Sequence, residues 1–387
     1  MKRRLTTVRP TEWSYRGCAV ALSDRGKPLD VWAGIVGEEC RVELTHFGRN
    51  RSSANFVEPV GEPHRFRRKS GRSFHISGSA PLMHMNIEGQ HQAKLCMVRD
   101  ALAEVGFESC APTAFESSPD GEWGYRHSIK LVYGRSDRGS IRLGAYARGT
   151  NRLVTITDSE VVTPVLKKCM KGIAHHLIEA DIWPYEPETG KGLLRHVVMR
   201  QSRSTGHVLV TLVALRKDDR IREVASTIQS ELPPVIGVQI HVNDQPGNAI
   251  FSRDEDGEIW TRNLIGKPFI EDTIGSHVLG IGAGDFFQVN PNVANQMSAQ
   301  LLAEFEPHRD RPVLDLYCGV GAFTMGLAEQ HGWALGVEVV QGAIYRAKDS
   351  ARRNHVAAEF LAGKVEEVLP AALSRVSGKA PLVVLNP

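Results

Sequence analysis

The segment Val313-Leu-Asp-Leu-Tyr-Cys-Gly-Val-Gly-Ala-Phe-Thr324 constrains the chain more than any other. An apolar strand runs straight into Gly319-x-Gly321, and a helical pattern starts at once. Glycines at such a junction let the backbone come close to a ligand, and the helix start offers free N–H groups. The alternation continues with strands expected at 334–339, 359–362 and 382–385 and helices at 321–330, 341–354 and 364–374. That order means βαβ units on a parallel sheet. Glu338 stands at the end of the second strand, where a carboxylate can hold both hydroxyls of a ribose. The pattern therefore points to a nucleotide-like cofactor.

The dinucleotide fingerprint asks for Gly or Ala where this chain has Thr324, which disfavours a pyrophosphate-binding NAD site. S-adenosylmethionine (SAM) is the favoured cofactor. An oxidoreductase is the weaker alternative.

Upstream the pattern is different. Residues 12–60 carry short apolar runs (18–22, 29–32, 41–44, 54–60) separated by Gly, Pro, Asp and Asn, which fits a small OB-like β-barrel. Residues 61–81 read as an exposed basic loop. A helix is expected from 87 to 105, with Leu95, Val98, Leu102 and Val105 at helical spacing. From 123 to 270 strands and helices mix. An amphipathic helix is expected at 292–305, with Val293, Met297, Leu301 and Phe305 on one face. The fold class is α/β and α+β multidomain. Its parts are an N-terminal barrel (1–62), a linker, helix and mixed α+β domain (63–272), and a Rossmann-like domain (273–387).

Charge is uneven along the chain. Residues 1–75 hold 15 Lys+Arg against 8 Asp+Glu, and the rest hold 32 against 36. A polyanion partner reached through the basic front, or a merely solvated basic surface, both fit. Arg67, Arg68 and Lys69, within the basic run 65–72, are the best candidates for phosphate contacts. No apolar run approaches the ~20 residues that span a bilayer, and the basic start has no apolar stretch behind it, so a cytoplasmic monomer is the expectation. The six cysteines are scattered without any CxxC pair, which argues for reduced thiols and against a zinc site.

DLYCGVGAFT, preceded by Asp285-Phe-Phe-Gln-Val-Asn-Pro-Asn-Val-Ala-Asn-Gln-Met297, resembles the RNA uracil-C5 methyltransferase family. That family includes bacterial large-subunit rRNA enzymes and the tRNA enzyme that makes ribothymidine. Tyr15-Arg-Gly-Cys-Ala-Val and Gly34-Ile-Val-Gly-Glu38 are similar to its TRAM domain, an RNA-binding barrel. Gly124-Tyr-Arg126 and Leu194-Arg-His196 fit its central domain. Val-Val-Leu-Asn-Pro387 resembles the start of its N/D-P-P-R motif. The resemblance implies SAM as cofactor and RNA as partner, 23S rRNA first and tRNA second. It implies that Gln288 contacts SAM near the target base, and that Tyr317 and Glu338 line the adenosine beside Gly319 and Gly321. Asn386 completes the pocket near the methyl donor. Phe286 stacks on the flipped uracil, or is a plain core aromatic.

Two departures stand out. Many members of this family hold an iron–sulfur cluster on four cysteines. Here Ser73–His84 contains no cysteine and the fourth position is Ser159, so no cluster is expected. His75, His84 and His91 read as surface or RNA-facing groups. The family's catalytic cysteine and general-base glutamate also lie further on than Pro387. Uracil C5 is a weak nucleophile, and it needs a thiolate added at C6 and a base for the C5 proton, after the base has been turned out of its stack. Cys318 sits in the cofactor loop and reads as packing rather than as that thiolate. The strand 382–385 has the apolar run of one buried on both faces. The expectation is a truncated enzyme, with a shortened RNA-binding protein that lacks turnover as its rival.

Overall fold

The computed structural model describes residues 4–69, 77–112, 115–119, 121–255, 257–376 and 378–387. It divides into two compact units, 1–117 with 145–159, and 118–144 with 160–387. Among the described residues no helix is long and apolar enough to cross a membrane.

The first unit holds a six-stranded sheet in the order β1-β5-β6-β4-β3-β2. The strands are β1 (Leu5–Val8), β2 (Glu12–Ser14), β3 (Cys18–Leu22), β4 (Pro28–Trp32), β5 (Cys40–His46) and β6 (Ser52–Pro59). Alternation along β5 buries Cys40 and Val42 and leaves Arg41 outside, where it pairs with Glu58 at 2.8 Å. Leu29, Val31, Ala54 and Val8 complete the interior.

Helix α1 (Ile87–Glu104) follows, capped by the Asn86 side chain, which accepts from the Gly89 amide. Its buried stripe is not the expected one. Gly89 and Ala93 are buried, whereas Val98 and Val105 are exposed. The reason is a close approach: a Cβ at Gly89 would sit 2.7 Å from Phe66, so only small residues fit there.

The second unit is built on a sheet in the order β13-β12-β11-β10-β7-β8. Its strands are β7 (Ser128–Arg135), β8 (Ile141–Tyr146), β10 (Leu194–Gln201), β11 (Val208–Ala214), β12 (Val235–Val242) and β13 (Arg262–Gly266). The short β9 (Leu153–Val154) belongs to the first unit. Helix α2 (Pro164–Glu179) starts at a Thr163 cap with Pro164 in its first turn, and it buries Leu166, Cys169, Met170, Ile173 and Leu177. Helix α3 (Asp219–Glu231) joins β11 to its parallel neighbour β12.

A hairpin, β14 (Ile270–Ile274) and β15 (His277–Ile281), leads into helix α4 (Pro291–Phe305). Here too the expected face is corrected. Asn292, Ala294 and Ser298 are buried, while Met297 is exposed.

The last sheet is parallel, in the order β18-β17-β16-β19. It contains β16 (Val313–Leu316), β17 (Ala334–Glu338), β18 (Ala358–Ala362) and β19 (Leu382–Leu385), interleaved with α5 (Thr324–His331), α6 (Gln341–Arg353) and α7 (Val365–Ser374). The chain builds outward from β16 to β18 and then returns to place β19 on the other side of β16. That reversal is the topological switch point at which doubly wound sheets bind ligands, at the carboxyl ends of the strands. Two cores cover the sheet. One joins Ala343, Ile344 and Ala347 of α6 to Phe360 and the β14–β15 hairpin. The other sets Val365 and Ala372 of α7 against Leu314, Leu316, Leu335 and Val337. The edge strand β19 is not buried on both faces as its apolar run suggested: Val384 is buried, and Val383 and Leu385 are exposed.

Candidate functional site

The carboxyl ends of β16, β17 and β19 bring together Tyr317, Gly319, Glu338 and Asn386. The chain turns sharply after β16, with Tyr317 at φ 63°, Gly319 at 57° and Gly321 at 81°. A left-handed conformation at a non-glycine residue costs roughly 1–2 kcal/mol, and Tyr317 holds it. Helix α5 therefore begins at Thr324 and not at residue 321, because the glycines keep the chain in the turn. A Cβ at Gly321 would lie 3.0 Å from the Phe360 ring and 3.1 Å from Met325 Cε.

Glu338 spans the turn. The Gly319 amide donates to its Oε2 at 3.1 Å, and the Val340 amide donates to Oε1 at 2.9 Å. A carboxylate has about four acceptor positions, so two stay open, as a ribose diol would need. Glu258 fixes the next step of chain: its two oxygens accept from the Gln341 amide at 2.6 Å and the Gly342 amide at 3.2 Å, at the start of α6. The Tyr317 hydroxyl donates to Glu366 Oε1 at 2.9 Å, which draws its ring across the first turn of α7. Asn386 is half-buried just beyond β19.

Beneath the turn lies Asp315, 1% exposed. Burial pushes its carboxyl up to about 6, against hydrogen bonds from Thr324 that pull it down; the Thr324 hydroxyl is at 2.6 Å. Cys318 is buried beside it. Burial first, then Asp315 and Glu338, push its thiol well above the ordinary range. It is held as a thiol and is no nucleophile.

The segment 285–289 borders this turn. The Phe286 carbonyl oxygen is 3.6 Å from where a Gly319 Cβ would stand. Phe287 is buried and Phe286 is 67% exposed, so the plain core reading fits Phe287 and not Phe286. Gln288 is half-buried. The Asp285 carboxylate takes a two-pronged ion pair from Arg346 and the Gly282 amide at 2.6 Å. Arg200 Nη2 donates to the Asp285 carbonyl at 2.6 Å, and the His127 amide donates to the Val289 carbonyl at 3.0 Å. No sequence motif pointed to Arg200, Arg346 or Glu258, whose partners lie 61 to 85 residues away.

The basic run of the first unit is not free. Arg67 is buried against Glu38, donating to Oε1 at 2.7 Å and also to Oε2, and to the Ala33 carbonyl at 3.0 Å. Its guanidinium lies 3.7 Å from the Phe56 ring centre. Arg67 is thus corrected from a phosphate contact to a structural cation. Arg68 is half-buried and Lys69 is exposed; Arg72 and His75 lie outside the described residues. His84 is corrected as well: it is buried, and its Nε2 lies 3.0 Å from the Gly34 carbonyl. His91 stacks on Phe115 at 3.9 Å. Ser159 is buried. Among the described residues no group of three or more His, Cys, Asp or Glu could hold a metal ion.

Residues 279–377 match the family model described as tRNA (uracil-5-)-methyltransferase. A protein of Bacillus cereus named as an uncharacterised RNA methyltransferase is 27% identical over 359 residues, covering 92% of this chain and 76% of its own length. One of Synechocystis with the same description is 28% identical over 336 residues, covering 86% and 71%. Among solved structures, the Pyrococcus abyssi tRNA (uracil-54, C5)-methyltransferase in complex with S-adenosyl-L-homocysteine matches with a TM-score of 0.68 at 20% identity. The match covers 93% of this chain and 80% of that one. The shared fold is that of a SAM-dependent methyltransferase.

Proposed function

We propose that this chain, which carries the RNA uracil-C5 methyltransferase pattern over residues 279–377, binds SAM and RNA and serves methyl transfer to C5 of a uracil. The observation that carries this reading is Glu338, held across the glycine turn with acceptor positions to spare and beside the exposed Phe286. The glycine turn fits a cofactor that approaches the backbone too closely for a side chain. When bound, SAM supplies an electrophilic methyl group. The residues divide the remaining work. Glu338 takes the ribose hydroxyls, and Tyr317 lines the adenosine with Gly319 and Gly321. Gln288 and Asn386 flank the reacting end. Phe286 offers its ring to an extruded uracil, for which stacking on an aromatic contributes about 1–3 kcal/mol per base. Attack on C6 and removal of the C5 proton are given to no residue of this site, and Cys318 is unfit for the first. The N-terminal sheet (1–62) is read as a TRAM-type RNA-binding module.

The substrate is read as structured RNA, 23S rRNA first. The family description and the names of relatives favour tRNA as the second reading. Calorimetric titration of the chain with SAM tests the core of the reading, with Glu338→Ala as control. Binding by the parent and its loss in the variant support the cofactor cradle. A folded chain that binds no SAM overturns it and leaves RNA binding without turnover. Labelled-methyl transfer to rRNA and tRNA transcripts then separates the two substrates.

A further inference from the structure

We propose that Lys130 and Arg200 form a phosphate seat for the RNA strand on the face of the central sheet next to Phe286. The inference rests on the RNA-binding part of the proposed function. In the β7–β10 register Lys130 faces Val198 and Arg200 faces Ser128. The two side chains are therefore diagonal neighbours on one face of the sheet. Ile129, Leu131 and Tyr133, on the opposite face, are buried. Arg200 is 8% exposed. One of its nitrogens holds the Asp285 carbonyl, and its Nε is buried with no partner. Among the described residues neither cation has a carboxylate within ion-pair distance.

The nearest acid is Asp285, and it is already committed to Arg346 and the Gly282 amide. Three cations (Lys130, Arg200, Arg346) thus surround one carboxylate. Burial, and then the Arg200 charge, hold the Lys130 ammonium below its ordinary range. Two like charges side by side with an unmade hydrogen bond oppose folding, and an anion arriving between them relieves both. A phosphodiester suits the place, because it carries one negative charge and oxygens that accept from ammonium and guanidinium together. Phosphate contacts set register without reading sequence. From this position they would hold the backbone while a base swings onto Phe286. The Phe251 ring, 6.0 Å from Lys130 Nζ, gives the seat an apolar flank.

The test uses a fluorescein-labelled, uridine-containing RNA hairpin titrated by anisotropy at several KCl concentrations. Lys130→Ala is expected to weaken binding several-fold and to lower the slope of log K against log salt by about 0.7–0.9, the value for one lost phosphate contact. Lys130→Arg is expected to restore both. Arg200→Met, checked for folding by circular dichroism, is expected to lower the slope in the same way. A parent chain that binds the RNA, with Lys130→Ala unchanged in affinity and slope, overturns this proposal alone. A parent chain that binds SAM but no RNA overturns the RNA reading and this proposal with it.

Discussion

Asp315→Asn is expected to change how stability depends on pH, and the size of the effect follows from the site. The carboxyl is buried and held at about 6 in the folded chain, against an ordinary value of 3.8. Between those values the folded state keeps a proton that the unfolded state has released. Stability therefore falls as pH rises from about 4 to 6, and above 6 the chain carries a buried charge at full cost. A carboxyl raised from 3.8 to about 6, at 1.36 kcal/mol for each pH unit, corresponds to about 3 kcal/mol. Asparagine keeps the volume and an oxygen for the Thr324 hydroxyl, now at 2.6 Å, and removes the charge. Its new amide N–H group costs roughly 1–3 kcal/mol if left without a partner, and that cost is the same at every pH. The diagnostic quantity is therefore the change in the variant-minus-parent difference. The variant should gain about 2–3 kcal/mol relative to the parent between about pH 4 and pH 8, whatever the absolute offset. Urea unfolding followed by circular dichroism at the two pH values measures it. An offset that stays constant across the range would show that Asp315 is not the group that binds this proton.

Two further substitutions test the packing around the sites. Gly321→Ala places a methyl group 3.0 Å from Phe360 in a backbone of positive φ. A loss of about 1–3 kcal/mol in stability and weaker SAM binding are expected; an unchanged melting temperature would mean that the turn relaxes freely. Arg67→Met leaves Glu38 as a buried charge without its partner and should cost about 3–5 kcal/mol. The double variant Arg67→Met with Glu38→Gln should recover much of that, and Lys69→Ala should stay within about 0.5 kcal/mol of the parent. Equal losses for Arg67 and Lys69 by thermal melting would refute the buried-pair account.

Local chemistry made part of this structure legible. The strand–glycine–helix junction, the alternation after it and the acid at the end of β17 are each set by residues within one element, and each stands where the pattern put it. Faces of helices were less legible. In α1 the apolar residues Val98 and Val105 outweigh the small ones as a signal, yet Gly89 and Ala93 make the contact because they allow Phe66 close. In α4 Met297 reads as core and is exposed. Charge was the least legible. Arg67 looks like any other member of a basic run until Glu38, 29 residues earlier, is folded against it. A sequence shows how many cations a segment has, and only the fold shows which ones are already neutralised.

The same distinction bears on segment 285–289. Its first residue is fixed by Arg200 through the carbonyl and by Arg346 through the carboxylate, and its last by the His127 amide. Phe287, between them, is buried, so the backbone on both sides of Phe286 is anchored. An aromatic ring left two-thirds exposed forgoes most of the roughly 1.5–3 kcal/mol that burial would contribute, and a segment this constrained has no freedom to hide it. Rigid anchoring with an exposed aromatic lowers the entropy that a ligand must overcome on binding. With the glycine turn on one side and the Lys130–Arg200 pair on the other, the Phe286 ring stands where a base could meet a cofactor while its phosphate is held. That placement would be wasted on a ring whose only task was packing.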